Sequence, residues 1–264
     1  MIRLYPPRLS GRTLAALKKY QQEIDLLPDH KEQVAKAKES WKTKTRDKPF
    51  EEVKEKLTEM CAGARRCCYC EDSVADEIEH IYPKTRFPDK TFVWDNYLYA
   101  YGSCNRPKSN DFAIFDAKGN PINLASLDPN LPPPIGLPLL INPREEDPFD
   151  YLILDLSGTF FFVPIIFDKS DIIHKRGNYS ITLLKLNRDD IAKGRKEAYG
   201  DYRARLREYI IRRDGGATKK EKDELIEGIK TKQHPAVWEE MKRQHKQIGE
   251  LEALFDAAPE ALAW

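Results

Sequence analysis

The stretch that most constrains this chain runs from Cys67 to Lys108. It reads CCYCEDSVADEIEHIYPK, then a short loop, then WDNYLYAYGSCNRPKSN. Three features fall together here: a CxxC pair (Cys67, Cys70), a carboxylate beside a histidine (Glu79, His80), and a second turn carrying Cys104, Asn105 and Lys108. The stretch also dictates local structure. Glu77 to Tyr82 reads as a strand ended by Pro83, because proline cannot donate to a ladder. Asn96 to Tyr101 alternates and is aromatic, as strands prefer. Gly102-Ser103 reads as a turn, with a helix opening at Asn105. These residue types supply a proton acceptor, metal ligands and a cation within about forty residues. Histidine can take a proton from water near neutral pH. Carboxylate and amide oxygens are hard ligands that hold a divalent ion while leaving room for water and phosphate.

This order and spacing resemble the ββα-metal core of HNH endonucleases. The resemblance implies a DNA endonuclease in which His80 activates water and Glu79 with Asn105 holds Mg²⁺ or Mn²⁺. It further implies that Asn96 bonds backbone across the loop to orient His80, and that Lys108 neutralises phosphate charge. Arg65, Arg66, Lys84, Arg86 and Arg106 are the other candidate phosphate contacts. An isolated Glu-His dipeptide is usually a solvated strand pair. Asn96, Asn105 and Lys108 following in register are what favour catalysis. Two departures stand out. Asn105 occupies a position where many HNH enzymes have histidine. Glu79 and His80, adjacent on a strand, should point to opposite faces, so both reach one site only around a local distortion.

Many HNH domains bind a structural zinc with two CxxC pairs, a closed tetrahedral site. Here Tyr101 stands where the second pair's first cysteine would be, leaving Cys67, Cys70 and Cys104. Two readings stay open: zinc on these three with an unidentified fourth ligand, or packing around Tyr69, Tyr99 and Tyr101 in place of the metal. An odd count of five cysteines and no signal peptide predict reduced thiols and a cytoplasmic protein. No apolar run is long enough to suggest a membrane span. The net charge of +1 argues against a protein that coats nucleic acid through bulk electrostatics and makes a DNA-handling partner attractive.

The fold class expected is α+β, with the small core embedded between a helical arm and a hairpin-plus-helix region. Residues 1–60 read as the arm. Ser10 caps a first helix carrying Leu14, Leu17, Tyr20, Ile24 and Leu27, and Asp29 with Glu32 restarts a second. A Lys-rich linker follows from Lys42, then a third helix with Phe50, Val53, Leu57 and Met60. Lysines dominate the other face of this arm, a solvated face rather than a DNA contact. Residues 61–115 form the core, and 116–214 a proline-rich ordered loop, a hairpin from Tyr151 to Ile166 and a long helix from Asn187. That helix buries Ile191, Ala198, Tyr202, Leu206 and Tyr209 and carries Arg195, Arg203, Arg205, Arg207, Arg212 and Arg213 outward, as a partner or phosphate surface or as a salt-bridged face. Residues 215–264 read as a tail of two charged helices offering Trp238, Leu251 and Phe255 to a partner.

The segments MIRLYPP, LINPREEDPFDYLILDLSGTFFFVP and YSITLLKLNRDDIAKGR extend the resemblance to the retron-associated HNH proteins, which include the nuclease subunit of the Septu anti-phage system. That implies a complex with an ATPase of the ABC or SMC type in antiviral defence. The competing readings are a degenerate HNH module that binds without cutting, and a stand-alone restriction or homing nuclease. The latter calls for a basic DNA-reading surface that the sequence does not display.

Overall fold

The computed structural model describes all 264 residues and is an α+β fold. Three helices open it: α1 (Gly11–Asp25), α2 (His30–Lys44) and α3 (Pro49–Glu59). The Ser10 and Asp29 side chains accept from the Thr13 and Glu32 amides, and α3 starts on Pro49, whose missing N–H costs nothing in a first turn. Ser10 also donates its amide and hydroxyl to Glu52, which ties the starts of α1 and α3 together. Leu17, Ile24, Phe50, Val53, Leu57 and Met60 are buried as expected, whereas Leu14 is exposed. The linker is shorter than expected, because α2 runs on to Lys44.

Glu77–His80 (β1) pairs antiparallel with Tyr97–Ala100 (β2), His80 opposite Tyr97 and Glu77 opposite Ala100. Both strands stop short of the sequence expectation, as Trp94–Asn96 winds into a 3-10 turn. The next helix, α4 (Gly102–Lys108), leaves β2 directly. Gly102 and Ser103 form its first turn and Asn105 lies mid-helix, a correction with a clear cause. Asp76 Oδ1 accepts the Gly102 amide at 3.1 Å, satisfying an otherwise orphaned helix-start donor.

Two more hairpins follow: β3 (Ala113–Phe115) with β4 (Pro121–Asn123), and β5 (Leu152–Leu154) with β6 (Phe162–Pro164). The first lies in a region expected to be loop. The second is the expected hairpin, its turn gathered by Asp155, which accepts the amides of Ser157, Gly158 and Thr159. Helix α5 (Ile172–Leu183) escaped the sequence because its buried residues are Arg176, Gly177 and Ser180 rather than an apolar stripe.

In α6 (Asp189–Asp214) the expected stripe is buried, but Arg195 is not outward. It is 1% exposed, donates to the Phe160 carbonyl at 3.1 Å and covers the Phe162 ring. Arg203 and Arg207 both pair with Glu250, Arg212 with Glu221 and Arg213 with Glu260, so this face is largely salt-bridged within the chain. The tail forms three helices, α7 (Lys219–Lys230), α8 (Pro235–Gln244) and α9 (Gly249–Ala257). Trp238, Leu251 and Phe255, expected to be free for a partner, are buried. Trp238 lies on Tyr202 of α6 at 5.4 Å. One hydrophobic core of 50 buried residues reaches from Met1 to Ala261. No helix is long and apolar enough to cross a membrane.

Candidate functional site

His80 closes β1 with only 4% of its surface exposed. Its ring is wedged edge-on against Trp41 of α2 and Tyr97 of β2, with centroids 4.2 and 5.3 Å away. Nε2 lies 3.0 Å from the Thr91 carbonyl oxygen. A carbonyl can only accept, so Nε2 carries the proton and the lone pair resides on Nδ1. The same carbonyl accepts from Tyr97 Oη at 2.7 Å. Burial holds the imidazole pKa well below its ordinary value, and the charges of Lys84 and Lys108 push the same way. The ring is therefore neutral near pH 7.

Asn96 pins the loop that presents Thr91. Its Oδ1 accepts the Tyr82 amide at 2.7 Å, and its Nδ2 donates to the Tyr82 and Lys90 carbonyls at 3.0 and 2.8 Å. It bonds backbone across the loop, and through that loop it fixes the carbonyl to which His80 donates.

A cavity of about 230 Å³ opens here, lined by Glu79, His80, Lys84, Asn105 and Arg106 among others. Glu79 and His80 both reach it although they are neighbours in β1. Both residues lie within the regular ladder, Glu79 opposite Leu98 and His80 opposite Tyr97, at the end of the strand. Glu79 is buried, and its Oε1 lies 2.5 Å from Lys108 Nζ without the alignment of a hydrogen bond. Burial raises its pKa, while the charge of Lys108 opposes the rise. Asn105 does not bond Glu79; its Nδ2 donates to Glu77 Oε2 at 2.7 Å.

Lys108 departs from its expected role. It is completely buried, and its ammonium sits on Glu79 and on the His80 carbonyl at 2.8 Å, beneath the site rather than facing a phosphate. Lys84 takes the outward position. It lines the cavity half-buried, its ammonium 5.6 Å over the Trp41 ring, and makes no ion pair. Burial lowers its pKa. Arg106 also lines the cavity, on the exposed side of α4. The remaining basic candidates lie elsewhere. Arg65 is exposed over Tyr99, and Arg66 donates to the Asp72 carbonyl at 2.8 Å. Arg86 is buried and donates to the Leu127 carbonyl at 3.1 Å, which removes it from the phosphate contacts.

The sulfurs of Cys67, Cys70 and Cys104 lie within 4.8 Å of one another, all buried, and this cluster could hold a metal ion. Hydrogen bonds from the other two thiols and from the amides of Asp72 and Ser73 favour a thiolate at Cys70, while Cys67 is pushed up. Arg188 Nη1 donates to Cys104 Sγ at 3.6 Å. Cys68 faces away from the cluster, toward Cys61 at 4.0 Å.

Sequence reasoning missed Thr91, Trp41, Glu77 and Arg188. Thr91 acts through its backbone carbonyl, which no side-chain motif records. Trp41 had the appearance of a core residue on a sparse helix face. The chain matches no family model and no curated protein.

Proposed function

We propose that this chain is a metal-dependent HNH endonuclease that hydrolyses DNA phosphodiester bonds. The observation that carries the reading is His80: a buried, neutral imidazole whose lone pair is directed to Nδ1, at a polar cavity flanked by the unpaired cations Lys84 and Arg106. In this reading Nδ1 takes the proton of the attacking water. Lys84 and Arg106 place the scissile phosphate, and Asn96 and Thr91 hold the ring.

The residues fit a hard divalent ion. Glu79 Oε1 is buried with only the Lys108 ammonium against it, and Asn105 brings an amide to the same cavity. Glu79 and Asn105 would hold Mg²⁺ or Mn²⁺, an arrangement with few protein ligands and room for substrate oxygens. Such an ion supplies charge against the negative transition state. Cys67, Cys70 and Cys104 would hold a structural zinc. Tetrahedral zinc with bonds of about 2.3 Å places sulfurs roughly 3.8 Å apart, within the spread of this cluster.

The resemblance of the opening and central segments to retron-associated and Septu HNH proteins points to a role in anti-phage defence beside an ATPase partner that brings DNA to the site, and the net charge of +1 is compatible with such a partner. A second reading has one observation in its favour. Glu79 is already paired with Lys108 and Asn105 with Glu77, as in an HNH module that binds DNA without cutting it. Incubating the purified chain with supercoiled plasmid, with Mg²⁺ or Mn²⁺ and with EDTA, separates the two. Metal-dependent nicking supports the first reading, and binding without nicking in either ion supports the second.

A further inference from the structure

We propose that the cavity at His80 is one part of a longer groove for a DNA strand, whose outer wall comes from the N-terminal helical arm. The proposal builds on the nuclease reading by giving the substrate a path. A second cavity of about 440 Å³ shares Ile78, Lys84 and Asn105 with the first, so the two are one continuous depression. Its far wall is formed by Trp41, Arg46 and Lys54. Arg46 lies just beyond the end of α2 and Lys54 sits in α3, both exposed.

Charge decides what this groove suits. Along it from the arm to α4 stand Lys54, Arg46, Lys84 and Arg106. None of the four makes an ion pair within the chain, in contrast to Arg203, Arg207, Arg212 and Arg213 of α6, which are all neutralised. A row of unpaired cations on both sides of one polar cavity matches a polyanion with regularly repeated charges. The two acids that line the outer stretch are already engaged: Asp76 accepts the Gly102 amide and Glu77 accepts from Asn105. They repel phosphate from their own side and confine the strand to the wall of Arg46 and Lys54. Trp41, whose ring backs His80, joins this wall to the reacting centre. The arm is therefore a substrate-binding element and not only a solvated face. The groove gives an HNH-like site in a chain of nearly zero net charge a local row of cations free of ion pairs.

The test uses the full chain carrying Arg46→Ala and Lys54→Ala together, both exposed positions whose loss leaves the core intact. Two quantities are read: salt-dependent binding of a labelled single-stranded oligonucleotide and its duplex in EDTA, and Mn²⁺-dependent hydrolysis of bis(4-nitrophenyl) phosphate, a diester small enough for the His80 cavity alone. Each phosphate contact removed makes the salt slope shallower by about 0.7–0.9. The expected result is a slope shallower by roughly 1.5 and weaker binding, at an unchanged rate on the small diester. Unchanged affinity and slope overturn the groove, as does parallel loss of small-diester hydrolysis, which places both residues in the cavity instead. Wild-type protein that binds no DNA even at low salt overturns it too. Wild-type protein that binds through Arg46 and Lys54 but hydrolyses neither substrate leaves the groove standing and removes the nuclease reading.

Discussion

His80 Nε2 lies 3.0 Å from the Thr91 carbonyl oxygen, and that contact fixes Nδ1 as the basic nitrogen of the ring. The contact exists because Asn96 holds the intervening loop at three backbone positions and because Thr91 Oγ1 donates to the Pro88 carbonyl. The imidazole is buried, so its proton-binding behaviour is a property of the fold as much as of the site.

The pH dependence follows from the sign of that burial. The pKa of His80 is held well below the ordinary 6.5, and the neutral ring is the active form. Cleavage therefore rises with pH through the folded pKa and is level before pH 6.5. Stability carries the same mark. The unfolded chain binds a proton at His80 below 6.5 while the folded chain still refuses it. The stability is complete above that value and is lost as pH falls, at about 1.4 kcal/mol per pH unit between the two pKa values. A pH–rate profile and urea unfolding across the acid range check both statements. An acid limb centred above the ordinary imidazole value contradicts them.

Lys108 separates a buried counter-ion from a phosphate contact. Lys108→Ala strands Glu79 as an uncompensated buried carboxylate and should destabilise the chain by about 3–5 kcal/mol. Replacing both partners, Glu79→Gln with Lys108→Met, should recover much of that loss. Denaturant unfolding of the three proteins measures it. The salt slope of DNA binding should not change in Lys108→Met, since its ammonium faces no groove.

How far the site could be read in advance depended on whether a residue acts through its side chain. Glu79, His80, Asn96 and Asn105 form a spacing that marks a strand pair and helix, and the structure places them at the end of β1, beside β2 and in α4. Thr91 was invisible because its contribution is a carbonyl oxygen, and Trp41 because it joins the site from another segment. Lys108 was legible as a cation but not as a buried one; only the third dimension sets it under Glu79. The same limit applies to the fold. Helices α1 and α2 announced themselves by caps and apolar period, and α3 and α6 by apolar period alone. Helix α5, which buries Arg176 on Glu146 and Tyr151, had no apolar stripe to show.

Asn96→Ala should cost on the order of 1–3 kcal/mol, because it leaves the part-buried Tyr82 amide without an acceptor. The loop carrying Thr91 then loosens, so kcat should fall with KM little changed. Calorimetry and steady-state cleavage read the two effects separately. A variant with wild-type kcat contradicts the positioning role of Asn96.

The cysteine cluster is tested by elemental analysis. About one zinc per chain is expected, falling in Cys67→Ser and Cys104→Ser, with a lowered Tm in each. A metal-free chain whose Tm is insensitive to chelator supports packing around Tyr69, which is fully buried beside the cluster, in place of zinc.

The most direct measurement compares wild-type protein with His80→Gln on supercoiled plasmid in Mn²⁺. Glutamine is the better replacement, since His80→Ala would open a hole against Trp41 and Tyr97 and confuse lost chemistry with lost packing. The expected result is metal-dependent nicking by the wild type, abolished by EDTA, and a rate about 10²–10⁴ lower for a His80→Gln protein of comparable Tm. A folded His80→Gln protein that nicks at the wild-type rate contradicts the assignment of His80 as the base.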